Sequence, residues 1–328
     1  MKIIFNSCRT FKRLALVIFA MLSISALAQV YPAKPIRLYV GFAPGGPADG
    51  SARIIGEVLA KTLKQPIVID NKPGAGGTIA AATVAQSPAD GYTLLMASSG
   101  HAGNGAYYGN LNFDTVKSFK AVGGVSATPV VILVAADSPY KTLANLLDDA
   151  RANPDKVSVA TGGGATLTNL AAEVLKNSAK VRMVAVPYKG TAPVLTAVMG
   201  GEVSVGIDTV SGSIGLIRSG KLRALAVTSA KRSSVLPDVP SVAETKSLSD
   251  FDITGWYGVL APSNTPAEVV TILNREVNKA LATPAVIDKL AALGADPIPG
   301  SPEQFNSLLV SETSRWSGVI KRLGLKSE

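Results

Sequence analysis

Apolar residues along this chain recur in two alternating rhythms. A continuous apolar run at residues 36–42 (IRLYVGF), with β-branched and aromatic side chains, predicts a buried strand. Ala43, Pro44, Gly45 and Gly46 break it. A helical period follows over residues 47–63, with Ala52, Ile55, Val58, Leu59 and Thr62 on one face. A second strand is expected at 66–70, a glycine-rich segment at 72–77 opens a helix through 85, and a turn at 89–91 leads into a third strand at 92–97. This order predicts a parallel sheet with right-handed crossovers.

The order then restarts. Strands are expected at 129–135, 157–160, 183–186, 203–207 and 222–227, separated by helices at 143–152, from 166 to about 176, at 192–199 and at 213–219. A proline-marked return includes residues 236–240 and 256–262, and helices at 266–281, 284–293 and 302–323 end the chain. Two such blocks joined more than once imply a two-lobed α/β protein with a cleft. Residues 111–128 are the least regular, and hinges are expected at their end and near 256–261. The division is a leader at 1–28, one lobe from 29–128 plus 256–328, and a second from 129–255, each lobe a mostly parallel sheet flanked by helices.

The first residues change the picture of where the protein works. Lys2, Arg9, Lys12 and Arg13 precede an apolar run from residue 14 to 27, and Ala26-Leu27-Ala28 presents small residues where a signal peptidase reads. The run is shorter than the roughly 18 apolar residues that span a bilayer. Cleavage after Ala28 is expected, releasing a soluble exported chain; an uncleaved N-terminal membrane anchor is the lesser alternative. Loss of the leader lowers the formal charge from +9 to +5, a mild balance that favours anionic small ligands and carries no basic run for nucleic acid. The single cysteine, Cys8, lies in the leader, so the mature chain forms no disulfide, which suits a bacterial periplasm.

Ligands of open α/β sheets bind beyond the carboxyl ends of the strands. The residues there are small: Phe42, Pro44, Gly45 and Gly46 after the first strand, Ser98 and Ser99 after the third, and Thr161 through Gly164, Ala165 and Thr166 in the second block. Glycines admit close backbone approach, and each following helix aims unpaired N–H groups at the same place. Each helix terminus contributes about 0.3–1 kcal/mol toward a carboxylate when exposed. Two such termini facing each other would hold a small dianion without a side-chain cation. Tight strand-to-helix connections also need glycine for purely structural reasons, so this signal gains weight only from its repetition.

Established phosphate and catalytic motifs fail. The segment at 74–79 (GAGGTI) misses the last glycine of G-x-G-x-x-G, and no P-loop is present. His101 is the only histidine, which rules out a histidine metal cluster, and no G-x-S-x-G elbow exists. His101 is expected in a flexible loop at 100–105, where plain surface placement leads, ligand contact comes second and a catalytic role last. Asp208 reads equally as an acceptor for a ligand amine or hydroxyl and as a cap on the next helix. Tyr188 offers a hydroxyl, and Lys189 reads as a solvated loop charge. No catalytic residue, metal or cofactor is expected.

The strings YPAKPIRLYVGFAPGGPADGSAR, VIDNKPGAGGTIAAATVAQSPADGYTLLMA, VPYKGTAPVLTAVMGGEVSVGIDTV and GKLRALAVTSAKRSSVLPDVPSVAE resemble the Bug-type receptors, the periplasmic substrate-binding proteins of tripartite tricarboxylate transporters. The resemblance runs from about Tyr31 to the helix containing Trp316. It implies a clamshell that binds small carboxylates (dicarboxylates, amino acids or aromatic acids) through bridging waters, a monomer serving membrane permease subunits. It also implies that the loop with Phe42 and Gly46 and the segment from Thr161 to Asn169 grip the ligand from opposite lobes, with Ser98, Ser99 and Asp208 near the pocket wall. The chain departs from the pattern where a Gly-Ser-rich turn followed by His-Leu-Ala is expected: Ala165 lacks a hydroxyl, Thr166 and Thr168 stand beside it, and Asn169 replaces the histidine. A ligand-sensing partner of a membrane receptor kinase and an exported hydrolase are the alternative functions.

Overall fold

A computed structural model describes residues 31–326. The leader and its cleavage point lie outside the described residues. Among the described residues no helix is long and apolar enough to cross a membrane.

The first three strands, β1 (Ile36–Val40), β2 (Ile67–Asn71) and β3 (Thr93–Ser98), are parallel, with β1 in the middle. Val40 pairs with Asn71 on one side and Met96 on the other, so the three strands end almost level. Between them run α1 (Pro47–Leu63) and α2 (Thr78–Ala85). Helix α1 starts where Pro47 supplies a preset φ and ends at Lys64 in a left-handed conformation. Its Ala52, Ile55 and Leu59 are buried against the sheet, each large side chain stabilising the fold by about 1.5–3 kcal/mol.

The segment expected to be irregular up to residue 128 is instead half strand. β4 (Phe119–Ala135) runs unbroken for 17 residues and is buried along nearly its whole length. Its first part pairs antiparallel with β9 (Thr254–Pro262), ending at Pro129 opposite Thr254. From Val130 onward its partners are β7 (Val205–Thr209) and β8 (Leu222–Val227), also antiparallel. β9 inserts antiparallel between β3 and β4, and the short β10 (Asp296–Pro297) pairs with β4. The sheets are therefore mixed: only β2-β1-β3 and the set formed by β5 (Ser158–Thr161), β6 (Val184–Pro187) and β7 are parallel. Pairing Ala160 with Gly206 and Thr161 with Pro187 levels the ends of those three strands as well.

Helices cover both faces: α3 (Gly100–Tyr108), α4 (Leu143–Ala152), α5 (Leu167–Ala179), α6 (Thr191–Met199), α7 (Val210–Arg218), α8 (Ala267–Leu281), α9 (Pro284–Ala292) and α10 (Pro302–Leu323). The residues expected to form a loop at 100–105 are the start of α3. Gly103 has Leu170 of α5 and Trp316 and Ile320 of α10 within van der Waals reach of its missing side chain. One apolar cluster, containing Ala102, Leu167, Leu170, Trp316 and Ile320, thus runs continuously from the first half of the molecule into the second.

Candidate functional site

Six loops leave the level strand ends, three from each half, and the two sets meet. In the first half, Gly41 ends β1 so close to the loop after β2 that a side chain on it would stand 2.6 Å from the Cα of Gly77. Asn71 Nδ2 donates to the Phe42 carbonyl at 3.0 Å, and Gly45 N–H donates to Asp49 Oδ2 at 2.9 Å. Asp49 also accepts from Arg53 Nε at 2.8 Å. Burial opposes its ionisation, but Arg53 and the Gly45 amide outweigh it, and the carboxyl lies below its usual range. Phe42 is half-buried, while Pro44 and Gly45 are exposed, and Gly46 enters α1 extended with no side-chain cap.

A small cavity under this loop is lined by Gly41, Phe42, Gly76, Gly77, Ser98, His101 and Asn104, with part of β3 as its floor. Ser99 is buried and its N–H donates to the Trp256 carbonyl. His101 is neither loose nor at the surface. Its Nε2–H donates to the Thr115 carbonyl at 2.8 Å, and its ring packs beside Phe113 and edge-on to Phe119. Burial pushes its pKa down to about 4, so the imidazole stays neutral at physiological pH. Asn104 Nδ2 faces the Gly76 carbonyl at 3.4 Å, and its Oδ1 is buried without a protein partner.

In the second half, the turn after β5 is tied to itself. Thr161 hydroxyl donates to Asn169 Oδ1 at 3.1 Å, Asn169 Nδ2 donates to the Gly164 carbonyl at 2.8 Å, and Thr166 hydroxyl donates to the Gly163 carbonyl at 2.7 Å. Thr166 caps α5, accepting from Asn169 N–H. Thr168 accepts from Gly162 N–H at 3.0 Å. The Asn169 side chain is therefore engaged inside its own turn. Ala165 is fully buried.

After β6, Tyr188 N–H donates to the Thr161 carbonyl, and its half-buried ring packs on the apolar cluster under α6. After β7, the cap of α7 is Thr209 and not Asp208. Asp208 Oδ1 accepts from Thr191 hydroxyl at 3.0 Å, and its buried Oδ2 has no protein partner. Burial, opposed by the Thr209 amide and the Thr191 hydroxyl, raises its pKa to about 7. Burial and the Asp208 charge together push the Tyr257 phenol of β9 upward. Asp208 and Tyr188 do not line the cavity beside Phe42.

The two edges are in contact. A side chain on Gly100 would meet the Ala165 carbonyl at 3.0 Å and Thr166 Cα at 3.4 Å. Leu167 similarly lies 3.0 Å from the Cβ position of Gly255. The start of α3 thus faces the glycine turn after β5, while Pro44 and Gly45 of the first-strand loop are exposed. Asn104 and Tyr108 were not singled out from sequence, although their i, i+4 spacing places them on one helical face. Among the described residues no group of three or more His, Cys, Asp or Glu is placed to hold a metal ion.

A family model described as "Tripartite tricarboxylate transporter family receptor" matches residues 51–325. The protein BugT of Bordetella pertussis is 35% identical over 303 residues, covering 91% of this chain and 92% of BugT. Among solved structures, Rpa4515 of R. palustris with adipate is 35% identical, with a TM-score of 0.86 over 90% of this chain and 100% of that one. MatC of Rhodopseudomonas palustris with bound malate is 34% identical, with a TM-score of 0.83 over 88% of this chain and 100% of that one. The fold is the α/β clamshell of periplasmic binding proteins.

Proposed function

The chain belongs to the tripartite tricarboxylate transporter receptor family, a family of solute-binding receptors and not of enzymes, and from that premise we propose that it captures a small carboxylate between its lobes and delivers it to membrane permease subunits. The observation that carries this reading is the meeting of two glycine-rich strand-end edges, with Gly100 against Ala165 and Thr166. With no side-chain cap on Gly46 and no N–H on Pro47, the amides of Gly46 and Ala48 at the start of α1 supply a partial positive charge suited to an acid group. The adipate and malate held by relatives of similar length support a dicarboxylate. The lobes divide where β4 changes partners between Pro129 and Val130, and β9 makes the second crossing. In this reading Phe42, Ser98 and Asn104 supply one wall of the site and Gly164 and Thr166 the other. Asn169 holds that second wall in shape. The leader and the family support a periplasmic location.

Calorimetry and thermal melting of residues 29–328 with C4 to C10 dicarboxylates, amino acids and aromatic acids test the reading. A saturating ligand at 100 times its Kd adds about 2.7 kcal/mol of stability. A folded, ligand-free preparation whose melting no carboxylate shifts would refute it.

A further inference from the structure

Tyr108, the last residue of α3, stands between the two edges. A side chain on Gly76, in the loop after β2, would lie 3.2 Å from the phenol oxygen. One on Gly164, in the turn after β5, would lie 2.6 Å from it and 3.7 Å from the ring carbon that bears it. Both glycines have left-handed backbones, with φ of 61° and 55°. Burial and the neighbouring Tyr107 push the phenol upward, opposed by the Ala165 amide beside it. The tyrosine therefore reaches from a helix of one lobe to the main chain of the other, through a gap that exists because two side chains are missing.

The rest of α3 explains why this contact is separable from folding. Gly100 abuts Ala165 at one end of the helix, and Gly103 packs on Leu170 and Trp316 in its middle. Tyr108 lies eight residues beyond Gly100, about 12 Å along the axis, and its ring is only half-buried. Removing its hydroxyl leaves the apolar contacts of α3 intact.

We infer that Tyr108 is a latch residue: with the lobes closed, its hydroxyl engages the turn at 163–165 and slows their separation. This rests on the proposed receptor function. Tyr108 acts on ligand retention through closure, as a positioning residue, and not by providing the carboxylate's own binding groups.

Wild type, Tyr108→Phe, Gly164→Ala and the double variant are compared for malate and adipate binding by calorimetry, and for amide exchange at residues 163–166 without ligand. Loss of one neutral hydrogen bond raises Kd roughly three- to tenfold, carried by faster release. Tyr108→Phe also speeds amide exchange in the turn, while the ligand-free melting temperature stays near wild type. In the Gly164→Ala variant the new methyl collides with the phenol oxygen. In the Tyr108→Phe background it meets only a ring carbon at ordinary contact distance, so the two losses combine to less than their sum. A Tyr108→Phe protein with wild-type Kd and wild-type exchange, or strictly additive losses, overturns the latch. If wild type binds neither acid, the two-ligand reading of the receptor is what fails, and the exchange comparison still decides on Tyr108.

Discussion

The side-chain amide of Asn169 donates to the Gly164 carbonyl at 2.8 Å while its oxygen accepts from Thr161. One side chain thereby sets the shape of the turn that faces the opposite lobe. A neutral imidazole also offers one N–H and one lone pair. Asn169→His is therefore expected to keep the fold and the binding constant near wild type. Asn169→Leu leaves the Gly164 carbonyl and Thr161 hydroxyl without these partners and is expected to cost about 1–3 kcal/mol. Urea unfolding and carboxylate titration of the two variants check the contrast.

Asp49 has the matching task in the first lobe, holding Gly45 N–H and Arg53 together. Gly45 sits at a φ of 81°, and the loop around it is otherwise tied by Asn71 to the Phe42 carbonyl. Asp49→Ala is expected to weaken carboxylate binding by about 1–2 kcal/mol, roughly five- to thirtyfold in Kd. Calorimetry reads this directly.

Two buried groups drive stability in opposite directions with pH. His101 has its pKa lowered to about 4 by burial, so the stability linked to it is full above about 6.5 and is lost as pH falls toward 4. Asp208 has its pKa raised to about 7 by burial, so its contribution is full below about 3.8 and is lost as pH rises through 7. Each effect is on the order of 3–5 kcal/mol, and the two slopes nearly cancel between pH 4 and 6.5. Asp208→Asn should therefore expose a stability that climbs with pH over that window, and His101→Gln one that falls from pH 4 to 7. Chemical denaturation at half-unit steps measures both slopes.

Trp316 is fully buried where α3, α5 and α10 meet. Trp316→Ala is expected to remove about 3–5 kcal/mol by emptying that junction. Thermal melting without ligand tests it.

Segments with a clean period were legible. The helix Pro47–Leu63, with Pro47 at its start, and the strand Leu222–Val227 both lie where their apolar spacing puts them. Helix α3 was not legible because Gly100, Gly103 and Gly105 have poor helix propensity, and its stability comes from packing on α5 and α10. With that helix missed, the shared face of Asn104 and Tyr108 was missed too. The first part of β4 was hidden by Gly123 and Gly124, which weaken a strand signal and are sustained here by pairing with β9. Level strand ends follow from the βα order, but the facing of Gly100 and Ala165 depends on contacts 65 residues apart, beyond any local pattern.

The position of β9 has a consequence for how the chain is made. Residues 254–262 fill the slot between β3 and β4, so a chain being synthesised completes those strands before their shared neighbour exists. Until then one margin of each offers unpaired main-chain groups to any passing strand. The first sheet is thus completed only after the second half of the chain has been made, and a shortened product ending before residue 254 would be prone to aggregate rather than to persist as half a receptor.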